Sequence, residues 1–186
     1  RAVGLEHRPL DAVDRGAGGP VLVVEHGPVD AGIDDRDSHP LAGRPRVKLL
    51  LAVDQPDADV WVQLAEVLPD GTTAALSSSV VRLRYRKGGA QPVMMTPGKP
   101  ELVEIPNMTF FARAIAKGSR LRLSVDVGAH IGAQINTNTG GDLASEPLRK
   151  SRIAKITILT GGDRGSAIEL PQPDPAILSS LGPAGR

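Results

Sequence analysis

Short apolar runs separated by turn-forming residues constrain the fold of this chain more than any other feature. Between residues 120 and 127, apolar and polar residues alternate strictly, which is typical of a strand with one face toward water. Similar runs recur between segments rich in glycine and proline, and the full set covers residues 47–53, 60–67, 80–86, 101–105, 120–127, 153–159 and 167–170. Many short strands with such punctuation predict an all-β sandwich.

Two local motifs refine this prediction. Pro69, Asp70 and Gly71 lie between two apolar runs and supply turn conformations that β-branched residues resist, which predicts a hairpin. Residues 108–118, MTFFARAIAKG, show the most helix-like pattern in the chain. They predict a turn or a short helix that ends at Gly118.

A length of 186 residues predicts one domain. We expect a loop-rich N-terminal segment at 1–41 with one or two short strands, a β-sandwich at 42–171 and a mobile tail at 172–186. The chain begins with Arg1 rather than methionine, so we expect it to be a piece of a longer polypeptide.

Composition argues against several classes of partner. The net charge is +1 and aromatic residues make up 2% of the chain, so neither a phosphate backbone nor a stacked base has an evident binding surface. No apolar run approaches the length of a membrane helix. We therefore expect no nucleic-acid partner, no membrane partner and no cofactor. The absence of cysteine leaves the cellular compartment open.

The sequence offers no catalytic group. The G-x-S-x-G pentapeptide that holds a nucleophilic serine at a strand-to-helix elbow does not occur, so we predict no catalytic residue. The histidines show no metal-binding spacing and are interpreted as loop residues; they are His7, His26, His39 and His130.

Two groups of aspartates are interpreted as ordinary loop and turn residues, and calcium binding is the alternative for the first group. Asp30, Asp34, Asp35 and Asp37 form a charged loop that could gather calcium, yet the defined calcium-loop pattern is absent and a solvated loop is favoured. A second group, Asp54, Asp57 and Asp59, stands at a strand entry, where aspartates commonly accept backbone hydrogen bonds.

Arginines and amides form the remaining polar patterns. Arg82, Arg84 and Arg86 alternate along a predicted strand and are either solvated or paired with carboxylates of a packing partner. Residues 135–142, INTNTGGD, could line a cleft or bind a sugar through side chains such as Asn136 and Asn138, although such residues are also common in ordinary loops.

The order of several weak motifs resembles a known family. The motifs are DADVWVQLAEVLPDG, VVRLRYRKG, IAKGSRLRLSVDVGAH, INTNTGGD and GSAIELP. In this order they resemble the C-terminal β-sandwich domain of the X-Pro dipeptidyl-peptidase and cocaine esterase group of serine hydrolases. The resemblance runs from about Ala42 to Pro171. The matching positions are Asp57, Asp59, Pro69, Asp70, Gly71, Arg82, Arg84, Arg86, Gly118, Arg120, Arg122, Asn138, Thr139, Gly140, Leu170 and Pro171.

The resemblance implies a jelly-roll sandwich, related to galactose-binding-like folds, that packs on an upstream α/β-hydrolase domain. The catalytic serine, aspartate and histidine of that family reside in the hydrolase domain, so this chain alone is expected to be inactive. Two departures matter. Ser119 stands where the family usually shows histidine, and the residues around His26 do not match the family's histidine motif.

These observations lead to one favoured hypothesis and two alternatives. The favoured hypothesis is a non-catalytic domain that shapes the active site of a serine hydrolase or helps to form a homo-oligomer. Its predicted interdomain or cleft contacts are Arg82, Arg84, Arg86, Arg120, Arg122, Asn136 and Asn138. The alternatives are a free-standing structural adaptor and a carbohydrate-binding module, which would need an aromatic platform from Trp61 or Tyr85.

Overall fold

The computed structural model of the protein is built almost entirely from antiparallel strands. It describes residues 2–4, 22–28, 38–105, 107–127, 134–160 and 165–173. The strands in these ranges are β1 (Ala2–Gly4), β2 (Leu22–Pro28), β3 (Ser38–Gly43), β4 (Arg46–Val53), β5 (Asp59–Val67), β6 (Thr73–Arg82), β7 (Glu101–Ile105), β8 (Phe111–Ala116), β9 (Arg120–Val127), β10 (Ile156–Leu159) and β11 (Ala167–Glu169). Two single turns of 3-10 helix, Leu83–Tyr85 and Leu148–Lys150, complete the regular structure of these ranges.

The strands form two main sheets and one small sheet. In the first sheet β4 is central: β7 pairs with one of its edges, β10 and β11 pair with the other, and β1 extends the sheet beyond β11. The second sheet has the order β2-β9-β5-β6, and the small sheet consists of β3 and β8. The structure confirms the all-β sandwich.

One hydrophobic core lies between the two main sheets. In β4 the inward residues alternate along the strand and are at most 1% exposed; they are Val47, Leu49, Leu51 and Val53. The second sheet contributes the inward residues of β5 and β9, such as Val62 and Leu123. The strict alternation in β9 that the sequence shows is therefore a core pattern, with Leu121, Leu123 and Val125 all buried.

Two consecutive strands share one edge of β4. Leu159 of β10 lies opposite Leu50, and Ala167 of β11 lies opposite Lys48. Ser166 joins the two strands, because its hydroxyl accepts the Leu50 amide at 3.0 Å and donates to the Leu159 carbonyl at 2.9 Å. One hydroxyl thus replaces a missing main-chain partner in the ladder.

The predicted hairpin is confirmed. β5 and β6 pair directly, and the Gly71 amide bonds the Leu68 carbonyl at 2.9 Å across the turn. Gly71 has φ +85°, a left-handed conformation that glycine adopts without steric cost. The Asp70 carboxylate accepts both the amide and the hydroxyl of Thr72, and these bonds lower the pKa of Asp70.

Two local predictions are wrong. The run 80–86 is not one strand, because β6 ends at Arg82 and residues 83–85 form a 3-10 turn. Residues 108–118 contain no helix: 111–116 form β8, which pairs along its whole length with β3. Gly118 does end the element, with φ +79°, but it ends a strand that turns into β9.

Several expectations fall wholly or partly outside the described residues. Residues 174–186 of the predicted tail lie there, as do the acidic loop residues Asp30, Asp34, Asp35 and Asp37 and the histidines His7 and His130. For His26 and His39 the structure describes only the backbone. Within the segment predicted to be loop-rich, β1 pairs with β11 and β2 pairs with β9.

A buried carboxylate fixes the small sheet to the second sheet. Glu66 of β5 is fully buried and lies on the core side, opposite Leu121. It accepts hydrogen bonds from Arg113 Nε at 2.7 Å and from the Ala116 amide at 2.9 Å, both on β8. Burial alone would raise the pKa of Glu66, but hydrogen bonds from the Ala116 amide and Arg113 and the positive charge of Arg113 act in the opposite direction, and the pKa is lowered.

Glu66→Gln should therefore destabilise the fold in a pH-dependent way. We expect a loss of about 1–3 kcal/mol in unfolding free energy at pH 7, because the Arg113 side chain and the Ala116 amide lose a charged acceptor that is itself fully buried. The folded pKa lies below the ordinary value of 4.5. The stabilisation is therefore complete above pH 4.5 and disappears as the pH falls through the folded pKa.

Urea unfolding of the wild type and the variant between pH 7 and pH 3 measures both effects. Glu104→Gln is the matched control, because Glu104 pairs with Lys48 at 3.3 Å on the surface and is 71% exposed. The control should change stability little. Equal losses in the two variants at pH 7 would contradict the role given to Glu66.

Candidate functional site

Three arginines predicted to contact a partner meet carboxylates of their own domain. Arg82 pairs with Asp59, Arg84 with Asp57 and Arg86 with Glu101. The first two pairs share Asn136, so Asp57, Asp59, Arg82, Arg84 and Asn136 form one connected group, the Asp–Arg–Asn cluster. The cluster lies where β6 ends and β5 begins.

The Arg82–Asp59 pair is a bidentate cross-strand contact. The two residues are directly opposite in the β5–β6 ladder. Arg82 Nε and Nη2 each donate to one carboxylate oxygen of Asp59 at 2.8 Å. This hydrogen bonding raises the pKa of Arg82, and Nη2 also donates to the Gln134 carbonyl at 2.5 Å. The planar guanidinium thus ties the hairpin to the segment that follows β9.

The Arg84–Asp57 pair is buried. Asp57 is fully buried and Arg84 is 4% exposed. One carboxylate oxygen accepts the Arg84 main-chain amide at 2.8 Å, and the other accepts its Nε at 2.6 Å. Arg84 Nη1 donates to the Gly141 carbonyl at 2.9 Å, while buried Nη2 has no hydrogen-bond partner among the described residues. The same carboxylate therefore holds both the side chain and the backbone of the 3-10 turn.

Asn136 joins the two ion pairs. Its Nδ2 donates to Asp57 Oδ2 and to Asp59 Oδ1, each at 2.8 Å. Its Oδ1 accepts the Asn138 amide at 2.9 Å, which starts the turn that follows. An amide can do this because it carries two donors and an acceptor on one planar group. Asn136 is uncharged, and it thereby supplies a hydrogen-bond donor to each of two buried carboxylates.

Glu146 closes the polar loop that follows Asn136. The hydroxyls of Thr137 and Thr139 both donate to Glu146 Oε2, and these bonds lower the pKa of Glu146. A Cβ at Gly141 would lie 2.7 Å from the same carboxylate, so a larger residue there would have to displace the end of the Glu146 side chain. Asn138 has φ +61° and donates to the Arg152 carbonyl at 2.7 Å. Residues 134–146 are therefore held along their length.

Arg86 belongs to a separate contact at the start of β7. Its Nη2 donates to Glu101 Oε2 at 2.7 Å, and Lys87 pairs with the other oxygen of the same carboxylate. The Arg86 hydrogen bond is the main cause that lowers the pKa of Glu101. Arg86 Nη1 also donates to the carbonyls of Leu83 and Val93. Arg86 thus fastens the loop between the 3-10 turn and β7.

Arg120 and Arg122 lie at the other end of the second sheet. Arg120 is opposite Val67 at the end of β5, whereas Asp59 begins that strand. Eight residues at about 3.3 Å each separate the two ends by roughly 26 Å. The predicted contact residues therefore fall into two distant groups, and both arginines project from the outward side of β9 because Leu121 and Leu123 project inward.

Other residues considered from the sequence have structural positions. The Ser77 hydroxyl donates to the Thr109 carbonyl at 2.7 Å and Ser166 completes the β4 ladder. Ser119, at the position where histidine was expected, is 3% exposed. Trp61, one of the two residues considered for an aromatic platform, lies opposite Asp126 on the outward side of β5 and is partly exposed.

The described ranges contain neither a metal-binding cluster nor a membrane-spanning helix. No group of three or more histidine, cysteine, aspartate or glutamate side chains within them is arranged to hold a metal ion. None of their helical segments has the length and hydrophobicity of a membrane span.

The sequence matches a family of non-catalytic domains. The model of the X-Pro dipeptidyl-peptidase C-terminal non-catalytic domain matches residues 37–169, which is most of the chain. The chain belongs to this family. The matched range includes the whole Asp–Arg–Asn cluster and both arginines of β9. Strands β1 and β2 lie before the matched range.

Three similar proteins are much longer than this chain. Cocaine esterase from Rhodococcus sp. (strain MB1 Bresler) is 30% identical over 131 residues, which cover 70% of this chain and 23% of the esterase. An aminopeptidase from the marine sediment archaeon Thaumarchaeota archaeon is similar in structure, with a TM-score of 0.69 and 23% identity over 81% of this chain and 25% of the aminopeptidase. An α-amino acid ester hydrolase has a TM-score of 0.70 and 20% identity over 92% of this chain and 31% of its own. The two structures show the shared fold, and this chain spans about a quarter to a third of each relative.

Asn136→Ala should loosen the loop that covers the Asp–Arg–Asn cluster. We expect amides in 137–146 to exchange hydrogen at least about tenfold faster, because buried Asp57 and Asp59 each lose a donor worth about 1–3 kcal/mol. Amides of β4 and β5 should keep their protection. Hydrogen exchange followed by mass spectrometry resolves the two regions.

Asn138→Gly is the control for this change. Glycine adopts the left-handed conformation of residue 138 readily, and the variant loses the side-chain bond to the Arg152 carbonyl while leaving the cluster intact. Exchange in 137–146 should rise clearly less than in Asn136→Ala. If both variants raise it equally, Asn136 is an ordinary loop residue.

Proposed function

We propose that this domain is the accessory part of a serine hydrolase and packs on a catalytic α/β-hydrolase domain of the same polypeptide. The observation that carries the proposal is the combination of a non-catalytic family with relatives whose names describe an esterase, an aminopeptidase and an ester hydrolase. In each of them the matched part is a minor fraction of the protein. The catalytic residues of the hydrolase then lie in the rest of the polypeptide, outside this domain.

The Asp–Arg–Asn cluster supports a positioning role. Burying two ion pairs costs desolvation energy, and apolar residues of similar volume often stabilise a fold as well. What the cluster supplies is a defined geometry, because Asn136 and the Gly141 carbonyl tie the polar loop at 134–146 to the hairpin. We propose that this loop borders the active site and shapes its pocket, with partly exposed Asn138 near its tip.

Two finer parts of the expectation remain proposals. The strand connections are expected to follow the jelly-roll, galactose-binding-like pattern of the resembling family. A homo-oligomer would be a second way to place this domain near an active site, because one subunit's loop could then border the pocket of another.

Hydrolysis assays test the proposal. The 186-residue chain should hydrolyse neither a chromogenic short-chain ester nor an Xaa-Pro dipeptide anilide, because it belongs to a family described as non-catalytic. The natural polypeptide extended upstream of Arg1 should hydrolyse at least one of them. Each assay is run with and without a serine-directed covalent inhibitor.

The outcomes separate the proposal from its alternatives. Inhibitor-sensitive activity in the extended protein alone supports an accessory domain. Activity in neither protein favours a structural adaptor or a carbohydrate-binding module. Inhibitor-sensitive activity in the 186-residue chain would show that it contains a nucleophile of its own.

A further inference from the structure

Three leucines form a continuous row on the outward side of the first sheet. Leu50 of β4 lies directly opposite Leu102 of β7 on one side and Leu159 of β10 on the other. Directly opposed residues on one face of a sheet have Cβ atoms about 4.5–5.5 Å apart, so the three side chains are neighbours. Leu102 is 47% exposed, and Leu50 and Leu159 are partly exposed.

The row is separate from the core. Its neighbours in β4, Leu49 and Leu51, are fully buried and point inward, so Leu50 points outward. Among the described residues, Ile156 and Ile158 of β10 pack against the core, while Leu159 is not part of that packing. The sheet thus presents apolar side chains on both of its faces, which an antiparallel sheet with one face toward water does not need.

Charged residues border the row. The next position along β4 on the outward side is Lys48, which pairs with Glu104 of β7 at 3.3 Å. One step further, exposed Arg46 lies opposite Glu169 of β11. An apolar centre with a polar rim is the usual anatomy of a protein interface.

A basic cleft continues this face where β4 and β7 separate. It has a volume of about 550 Å³, and its lining includes Arg44, Arg46, Lys48, Glu104 and Asn107. Arg44 is fixed in place because its Nη1 donates to the Met108 carbonyl at 2.8 Å. Its lining holds three cationic side chains and one carboxylate, and Glu169 lies opposite Arg46 at its border, so the cleft keeps a net positive charge that attracts a further anionic group.

We propose that the catalytic domain docks on this surface, the leucine face, defined by Leu50, Leu102, Leu159, Lys48 and Arg46. A carboxylate side chain of that domain enters the basic cleft. The inference rests on the function proposed above and names its contact surface. Interdomain contacts commonly bury about 600–1,500 Å², an area that three strands and the cleft can supply.

The outward side of β9 is the rival surface, since the sequence predicted contacts at Arg120 and Arg122. That side is polar throughout β9, where Ser124 and Asp126 follow the two arginines. On the adjacent β5, Ala65 and Val67 share this side and are 3% and 2% exposed within the chain itself. Next to the two arginines it therefore offers little apolar area for a partner to cover, because the exposed apolar side chains of this sheet face, Trp61 and Val80, lie toward its opposite end.

Single cysteines can compare the two surfaces, because the chain contains no cysteine. Leu102→Cys probes the leucine face, Arg120→Cys probes β9, and Ala90→Cys in an exposed loop is the reference. Each variant is made in the 186-residue chain and in the natural polypeptide extended upstream of Arg1. Labelling with a maleimide is followed at each site by peptide mass spectrometry.

In the extended polypeptide we expect Leu102→Cys to label at least about tenfold more slowly than in the 186-residue chain. Arg120→Cys and Ala90→Cys should label at the same rate in both. Adding Arg46→Glu to Leu102→Cys should restore part of the labelling in the extended protein, because a charge of the wrong sign then faces the docked carboxylate. Arg149→Glu, in the exposed 3-10 turn, is the matched control and should restore none.

The activity assay separates failure of this inference from failure of the proposed function. If the extended protein hydrolyses the ester or the anilide while Leu102→Cys labels equally fast in both proteins, the docking surface is wrong and the accessory function stands. Protection of Arg120→Cys alone would also overturn the leucine face and would assign the docking surface to β9. If the extended protein is inactive and no site is protected, both proposals fail.

Discussion

The buried ion pair between Asp57 and Arg84 is the interaction on which the organisation of the polar end depends. One carboxylate oxygen receives the Arg84 amide and the other receives its guanidinium, so the chain leaves β6 in a fixed direction. Buried charges are tolerated only when their remaining hydrogen-bonding groups are satisfied, and Asn136 and the Gly141 carbonyl meet most of that need. The loop at 134–146 is held against the hairpin because Asn136 and Gly141 supply these hydrogen bonds to the ion pair.

The sequence predicted most strands because each core strand carries a period of two that neighbouring residues alone reveal. The carboxylate partners of Arg82 and Arg84 could also have been predicted from the sequence. A hairpin centred on Pro69–Gly71 brings Asp59 opposite Arg82, and the Asp-x-Asp and Arg-x-Arg patterns then match. That step was missed because the aspartates were interpreted as local turn residues. Asn136 could not be predicted as the bridge, since its contacts span 77 and 79 residues of chain.

The wrong helix at 108–118 has a different cause. The inward residues of β8, Phe111 and Ile115, are four positions apart, with alanines and an arginine between them. That spacing suits one side of a helix as well as a strand. Pairing with β3 and the bonds from Arg113 and Ala116 to Glu66 decide for the strand. Tertiary contacts of this kind override local propensity and leave no trace in a short window.

The shared edge of β4 has a consequence for how this domain can vary. Leu159 and Ser166 are hydrogen-bonded to each other, so the chain leaves the sheet and returns to it at nearly the same point. On either side of this point β10 and β11 pair with β4. Closure entropy grows slowly with loop length. An insertion at this position, even one as large as a second domain, should therefore leave the sandwich unchanged. It is a natural place for such proteins to acquire new surface in evolution, and for an engineer to add a reporter.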